Sequence, residues 1–242
     1  MAANILMIRH MTDETDDSAA EILAEEGFAL EHWRSDVDGV PADPAPYAAV
    51  VVYGGPHAVE DADYVARELE WIKGWARSGK PYVGFCLGGQ LLASAAGAHV
   101  GPRPDGLHEV GFREIVPTES GRDILPRPLH LSEFHYHGIS DLPAAAEILA
   151  GSRDYPVQAF RLNAAQYGFQ FHPEVNERVL RRWLTIQDER ESKPGVDSAE
   201  KQLADARKHL GPQRDWLRMF LRRWSASFAR PARRGTLTAA AH

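Results

Sequence analysis

Short apolar runs alternate with segments of helical periodicity over the first hundred residues. Three runs, at 4–9, 47–55 and 81–85, are mostly apolar and predict strands that are buried on both faces. Apolar residues at helical spacing predict amphipathic helices between them, over 16–28 and 61–80. This alternation predicts a doubly wound, mostly parallel α/β sheet. Ligands of such sheets bind beyond the carboxyl ends of the strands.

The pattern then changes to shorter runs with strand-like alternation and turn residues between them. The stretch VQAFRLNAAQYGFQF, residues 157–171, predicts a hairpin with its turn near Asn163, and helical spacing follows over 176–190. A polar segment with a Pro-Gly pair comes next and has the composition of a linker. We therefore expect one α/β domain over 1–190, followed by a linker and a helical tail over 191–242.

The predicted tail is basic and amphipathic. From Ala206 onward it carries nine Lys and Arg residues and one acid, which gives a charge of +8. Because the net charge of the whole chain is −7, the rest of the chain carries −15. An apolar stripe at helical spacing runs between the arginines. It either covers the surface of the chain's own domain or forms a contact with a partner, including a second copy in a homodimer. The stripe consists of Trp216, Leu217, Phe220, Trp224 and Phe228.

Length and composition narrow the class of protein. The 242 residues, 44% of them apolar, suffice for one large α/β domain with an appendage, and no run is long enough to span a membrane. The apolar stretch near the N-terminus is too short for a signal peptide. A single cysteine excludes an intrachain disulfide and agrees with a reducing cytoplasm, where we expect the protein. The acidic body argues against a nucleic-acid enzyme, and we expect no membrane partner.

The single cysteine follows the third apolar run and precedes a predicted helix. The segment Gly84-Phe85-Cys86-Leu87-Gly88 has the form of a nucleophile elbow with cysteine in place of serine. Such an elbow places the side chain at a helix N-terminus, where the macrodipole favours a thiolate. The alternative is that Cys86 is a small core hydrophobe, which is the more common role of a free cysteine.

A base for such a nucleophile is available in the segment YGFQFHPEV. His172 ends a predicted strand and Glu174 follows after Pro173. Residues two apart in an extended backbone point to the same side, and the proline keeps the preceding residue out of the helical region. Glu174 could therefore orient His172 while the imidazole takes and returns a proton. The alternative for this segment alone is a surface turn.

Three segments occur together in one order, namely YGGP (53–56), GFCLGGQ (84–90) and FQFHPEV (169–175). In this combination the chain resembles the class I glutamine amidotransferases over roughly residues 4–185. The resemblance implies a flavodoxin-like fold, a Cys-His-Glu triad that releases ammonia from glutamine, and no cofactor.

The resemblance also implies roles for individual residues. Cys86 matches the nucleophile, His172 the base and Glu174 its orienting partner. Two backbone N–H groups match the oxyanion hole, and two further residues match those that hold the amino-acid end of the substrate. These four are Gly55 and Leu87 for the oxyanion hole, and Gln90 and Gly138 for the amino-acid end.

Two positions depart from the family's pattern, and both bear on specificity for the amino-acid end. Gly89 stands where several relatives carry histidine or isoleucine, and Ile139 stands where many free-standing members have aspartate. The triad positions are unaffected by these differences. Nothing in the chain resembles a synthetase, so we expect any ammonia acceptor to be a separate subunit.

Three histidines within eight residues suggest a metal site as an alternative chemistry. His130, His135 and His137 lie close together in sequence, and Glu133 is the one acid among them. Histidines near a polar cleft are more often hydrogen-bonded than metal-bound, so we expect no metal here.

Three functions therefore remain as hypotheses. The first is hydrolysis of glutamine, with ammonia passed to an acceptor enzyme. The second is cleavage of a γ-glutamyl bond in a peptide or conjugate by the same triad. The third is a catalytically silent binding subunit, against which the intact triad argues.

Overall fold

A mixed sheet forms the centre of the molecule, as described by a computed structural model over residues 3–12, 14–59, 61–186 and 192–228. The strands are β1 (Asn4–Arg9), β2 (Ala29–Arg34), β3 (Ala49–Val52), β4 (Tyr82–Phe85), β5 (His99–Pro102), β6 (Glu109–Pro117), β7 (Leu129–His135), β8 (His137–Ser140), β9 (Glu147–Gly151), β10 (Ala159–Asn163) and β11 (Gln166–Phe169). The helices are α1 (Ser18–Glu25), α2 (Asp63–Arg77), α3 (Leu87–Ala95), α4 (Glu177–Leu184) and α5 (Ala199–Ser225), with a 3₁₀ turn at Ser120–Asp123.

Nine of these strands form one sheet, in the order β2-β1-β3-β4-β11-β10-β9-β6-β7. The five strands from β2 to β11 are parallel, and the remaining four pair antiparallel. The predicted α/β class is therefore correct, with an antiparallel extension on one side. The β10–β11 hairpin turns after Asn163, as the sequence predicts.

The central strands are buried on both faces because helices cover each side of the sheet. On one face Val51, Val83 and Phe85 join a core cluster that includes α1 and α5. On the other face Val50 and Val52 pack with residues of α2 and α3. This packing places the carboxyl ends of β1, β3 and β4 side by side, and the segments that follow these strands build the site.

The helix boundaries follow local capping. The predicted helix over 16–28 begins only at Ser18, because the Asp17 side chain accepts hydrogen bonds from the N–H groups of Ala19 and Ala20. Gly27, with φ +86°, ends it in the left-handed conformation that glycine adopts readily. The helix predicted over 61–80 is likewise shorter, and residues 187–190 of the helix predicted over 176–190 lie outside the described part.

The apolar stripe of the tail packs on the chain's own core. Trp216, Leu217, Phe220 and Trp224 are buried in the same cluster as the face of the sheet next to α1. The Trp216 indole N–H donates to the Ile124 carbonyl at 2.8 Å. Of the two alternatives for this stripe, coverage of the chain's own domain is the one observed.

The positive charge of α5 faces acids of α1 and of the residue that caps its C-terminus. Arg214 pairs with Glu21 at 2.7 Å, Arg218 with Glu25 at 2.5 Å and Arg222 with Glu26. The described part of the predicted linker also contacts the body, where Asp197 binds Arg113 at 2.7 Å. The division of the chain at residue 190 stays a prediction.

Among the helices that the structure describes, none combines the length and the apolar character needed to cross a membrane.

Candidate active site

Cys86 lies between β4 and α3 in a strained backbone conformation. Its φ of 48° and ψ of −107° are unusual for a residue with a side chain. Strain of this kind is typical of a nucleophile elbow, in which a sharp strand-to-helix turn presents the side chain at the end of the sheet. The structure thus has the elbow geometry that the sequence predicts.

Close backbone contacts explain the glycines around the cysteine. A Cβ atom on Gly84 would overlap the backbone of Gly88, and one on Gly88 would overlap the Val52 carbonyl. A Cβ on Gly89 would fall 2.5 Å from the Phe169 carbonyl oxygen. Glycine at these positions lets α3 begin directly against β3 and β11, which the tight turn at Cys86 requires.

His172 and Glu174 form a direct, buried contact. The His172 Nδ1 atom lies 2.7 Å from Glu174 Oε1, and both side chains are about 5% exposed. The prediction that His172 ends a strand is wrong, because β11 ends at Phe169. A turn closed by the Val175 N–H and the His172 carbonyl brings the two side chains together instead.

The imidazole of His172 lies beside the sulfur of Cys86. Burial disfavours the imidazolium, but the Glu174 carboxylate and contact with Cys86, including a side-chain hydrogen bond, outweigh it and raise the pKa of His172 well above its usual value. The Trp183 indole covers the ring edge-on, with ring centroids 4.7 Å apart. Cys86 is therefore at the site and not in a separate apolar core.

The polar surroundings of the sulfur come from β7 and from the residue that follows β11. Cys86 Sγ lies 3.9 Å from the Phe134 carbonyl oxygen and 3.7 Å from the Gln170 side-chain nitrogen. Gln170 is fully buried between Phe169 and Phe171, where it interrupts the apolar alternation after β11. Sequence analysis missed Gln170, although a polar residue in such an apolar run is a signal of a special role.

The two predicted oxyanion-hole residues lie next to each other beside Cys86. A Cβ on Gly55 would fall 3.0 Å from a methyl carbon of Leu87, so the loop after β3 packs on the start of α3. The Gly55 and Leu87 N–H groups have no hydrogen-bond partner within the described residues. Both N–H groups are thus available to an acceptor.

Gln90 and the segment around Gly138 are also brought together. The Gln90 side-chain nitrogen donates to the His137 carbonyl at 3.1 Å and to the Gln170 side-chain oxygen at 3.2 Å. Gly138 lies one residue further along β8, where a Cβ would fall 2.7 Å from the ring of Tyr155. A hydrogen-bonded path therefore connects this segment through Gln90 and Gln170 to Cys86.

The three histidines of the alternative metal hypothesis do not converge. His130 stacks on His209 with ring centroids 4.6 Å apart, and His137 is only half buried. His135 is buried and faces two acids instead, with its Nε2 atom 3.2 Å from Glu109 and 3.3 Å from Glu133. His135, Glu109 and Glu133 form a group with metal-ligand spacing in the described part of the chain. The expectation of no bound metal stays a prediction.

The cluster around His135 can be explained without a metal. His135 Nδ1 donates to the His137 carbonyl at 3.0 Å, so Nε2 faces the carboxylates. Burial disfavours the charged ring, but Glu109 and Glu133 outweigh this effect and raise the pKa of His135 to about 10. Burial raises the pKa of Glu133 to about 7. The geometry suits an imidazolium shared between two carboxyl groups under the site.

Comparison with known proteins shows the family. The profile of the family "Glutamine amidotransferase class-I" matches residues 13–185. A crystal structure of a glutamine amido transferase from Methylobacillus flagellatus has a TM-score of 0.84 and 26% identity, covering 96% of this chain and 97% of that one. The chain belongs to the class I glutamine amidotransferase family, and the fold predicted from the resemblance is confirmed.

Two curated relatives differ in their named activities. A GMP synthase [glutamine-hydrolyzing] of Aeropyrum pernix is 34% identical over 66% of this chain, and the match spans 33% of that protein. Gamma-glutamyl peptidase 3 of Arabidopsis thaliana is 27% identical over 55% of this chain and 57% of that protein. The chain thus aligns with about a third of the first relative and somewhat more than half of the second.

Proposed function

We propose that this protein hydrolyses the γ-amide of glutamine through a thioester on Cys86, with His172 as the base and Glu174 as its orienting partner. One observation carries the proposal. Cys86 occupies a strained elbow at the end of the sheet, beside a histidine whose far nitrogen is 2.7 Å from a buried carboxylate. This arrangement of nucleophile, base and orienting acid is the one that acyl transfer requires.

In the first half of the proposed reaction, Cys86 attacks the γ-carbonyl carbon as a thiolate while His172 is protonated. The carbonyl oxygen becomes an oxyanion that accepts hydrogen bonds from the Gly55 and Leu87 N–H groups. His172 then gives its proton to the amide nitrogen and the C–N bond breaks. Ammonia leaves, and the γ-glutamyl group remains as a thioester on the sulfur.

In the second half, His172 takes a proton from water, which attacks the thioester carbon. The same N–H groups hold the second oxyanion. The C–S bond then breaks, which releases glutamate and returns the thiolate–imidazolium pair. Gln90 and the backbone around Gly138 are proposed to hold the α-amino and α-carboxyl groups throughout, since hydrogen bonds through Gln90 and Gln170 connect this segment to the sulfur.

The acceptor of the ammonia is proposed to be a separate synthetase. The described residues form the amidotransferase domain and the helix α5 that packs on it, and we propose that the two are divided near residue 190. The Aeropyrum relative, which is named a GMP synthase, extends well beyond the matched third.

Cleavage of a γ-glutamyl bond in a peptide or conjugate is the second candidate. The similarity to a gamma-glutamyl peptidase supports it. Ile139 supports it as well, because this buried apolar residue stands at the amino-acid end of the site where many free-standing amidotransferases carry aspartate. The chemistry at Cys86 would be the same, with an amine in place of ammonia as the leaving group.

Product analysis separates the candidates. The protein would be incubated with glutamine and, in parallel, with γ-glutamyl dipeptides, and ammonia, free amino acid and glutamate would be measured. Ammonia and glutamate in equal amounts from glutamine support the first candidate. Release of the second amino acid from the dipeptides, with little ammonia from glutamine, supports the second. A lack of glutamate from every donor would leave the silent binding subunit.

Substitutions of the base and its partner should differ in severity. We expect His172→Ala to lower kcat by about 10⁶-fold, because no group remains to move the proton. Glu174→Gln should cost about 10⁴-fold or less, because the base stays but loses its orientation and the favourable charge. Steady-state rates of glutamate release would measure both.

The matched control for these variants is Glu177→Gln. Glu177 lies three residues beyond Glu174, is largely exposed and pairs with Arg181 at the surface, so its loss should leave the rate unchanged. Equal and small effects of all three substitutions would show that the triad is assigned incorrectly.

A further inference from the structure

A buried histidine–glutamate pair lies under the loop that carries Gly55. His10 directly follows β1, and Glu68 projects from the middle of α2. His10 Nε2 is 2.9 Å from Glu68 Oε2, and neither side chain is exposed. The other ring nitrogen, Nδ1, is 3.0 Å from the Gly54 carbonyl oxygen. The pair thus connects a helix on one face of the sheet to the backbone of the loop.

The contacts fix the protonation of the ring. A carbonyl oxygen can only accept, so His10 Nδ1 must carry a proton and donate it to Gly54. Burial disfavours the charged ring, but the Glu68 carboxylate outweighs this effect and raises the pKa of His10. Nδ1 therefore donates to the Gly54 carbonyl, and Nε2 faces the Glu68 carboxyl group.

The Gly54 carbonyl belongs to the same peptide unit as the Gly55 N–H. The described residues contain no cis peptide bond, and in a trans peptide these two groups point in opposite directions. A hydrogen bond that fixes the carbonyl towards His10 therefore fixes the N–H towards the opposite side. A Cβ on Gly54 would fall 2.5 Å from His172 Cε1 and 3.4 Å from Cys86 Cβ, so the catalytic side chains lie next to this peptide.

Two successive glycines cannot hold this peptide by themselves. Glycine has the widest range of backbone conformations, and the Gly54–Gly55 peptide could rotate at little cost without an outside contact. Larger residues are excluded, because a Cβ on Gly55 would fall 2.8 Å from His10 Cβ and one on Gly54 would meet His172. The loop needs an external anchor, and His10 supplies it.

Helix α2 supports the loop at a second point. Tyr64 lies one turn before Glu68 on the same face, and its hydroxyl is 2.8 Å from Nδ1 of His57. Glu68 uses only one oxygen in the pair, since Oε1 is buried without a hydrogen-bond partner among the described residues. Burying a carboxylate with one unsatisfied oxygen lowers the stability of the fold. The contact with His10 is the interaction that Glu68 provides in return.

We propose that His10 and Glu68 are a positioning pair that holds the Gly54–Gly55 peptide with the Gly55 N–H directed at the reacting carbonyl. The inference rests on the proposed function, because it concerns the oxyanion hole of that reaction. His10 and Glu68, which are outside the Cys-His-Glu triad, would thus affect kcat by orienting one peptide group.

Two double variants test the hydrogen bond to Gly54 itself. Both carry Glu68→Gln, so that no unpaired charge is left buried. The first adds His10→Ala, which removes the donor. The second adds His10→Asn, whose side-chain N–H₂ can take the place of Nδ1. Glu70→Gln, an exposed residue of the same helix, is the control.

Hydrolysis of γ-glutamyl-p-nitroanilide is compared with alkylation of Cys86 by iodoacetamide, because alkylation forms no oxyanion. We expect the alanine variant to lower kcat by about 10- to 100-fold, which is less than complete loss of an oxyanion donor, with KM changed by less than about twofold. Its alkylation rate should stay unchanged, and the asparagine variant should recover most of kcat. The control should match the wild type.

Three results would overturn the inference. They are an unchanged kcat in the alanine variant, an equal fall in alkylation and hydrolysis, and a failure of asparagine to do better than alanine. Should the wild type hydrolyse no γ-glutamyl donor, the proposed function fails, and crystal structures decide about the pair. A Gly54–Gly55 peptide that turns in the alanine variant but not in the asparagine variant supports it, and an unchanged peptide in both contradicts it.

Discussion

Replacement of Cys86 by alanine will abolish glutamate release without unfolding the protein. The sulfur is the one atom of the site that forms a covalent bond in the proposed reaction, and loss of a nucleophile of this kind costs about 10⁶-fold in kcat. The fold does not depend on the sulfur, because its polar contacts outside the triad are the long ones to Phe134 and Gln170. Alanine adopts the positive φ of this position no more easily than cysteine, so the strain stays the same.

Chemical labelling gives a second measurement of the same prediction. A diazo-keto norleucine should add once per chain to wild-type Cys86, as seen by mass spectrometry, and prior glutamine should protect the sulfur. Cys86→Ala should take up no label and keep the circular dichroism spectrum of the wild type. Ser94→Ala, further along α3, is the matched control. Glutamate release by Cys86→Ala at the wild-type rate would refute the thioester.

The elements that the sequence predicts best depend on local signals. The run NILMIR is a strand over Asn4–Arg9 in the structure, because every residue that decides it lies within the run. The elbow at Cys86 is equally local, since the glycines that permit the turn stand within three residues of it. The segments of the triad were recognised for the same reason, as short motifs in a fixed order.

The polar residues that surround the triad could not be predicted in this way. Glu109 meets His135 only because β6 and β7 pair, and the register of two strands is a property of the sheet and not of either sequence. Glu68 gave one local signal, because it stands between Val65 and Ile72 on the buried face of a helix. Its partner His10 lies 58 residues away, so only the fold reveals the pair.

The position of the tail also depended on distant residues. Helical spacing predicted α5, but the same stripe could have met a partner or the chain's own surface. The choice was decided by Phe169 and Phe171 near the hairpin, which offer an aromatic surface to Trp216 and Phe220. The acids of α1 that pair with the tail lie about 190 residues earlier in the chain.

Trp216→Ala should strongly destabilise the fold. Its ring lies 5.6 Å from Phe169 and 5.5 Å from Phe171, and its N–H bonds to the Ile124 carbonyl. Truncation leaves a cavity between α5 and the sheet and an unsatisfied carbonyl, at a cost of about 3–5 kcal/mol. For a chain of this size the melting temperature should fall by roughly 6–20 °C, as measured by calorimetry.

The matched control is Met219→Ala on the same helix, where the side chain is 43% exposed. Its removal should change the melting temperature by no more than about 2 °C, because little apolar surface leaves the core.

Deletion of residues 202–242 should expose the aromatic face of the sheet and produce aggregation. Because Phe169 and Phe171 flank Gln170, which contacts the Cys86 sulfur, the loss of α5 should also lower the rate of glutamate release at temperatures where the protein is still folded. A truncated protein that stays monomeric, soluble and active would show that α5 is dispensable, and equal melting temperatures for Trp216→Ala and Met219→Ala would contradict its role in the core.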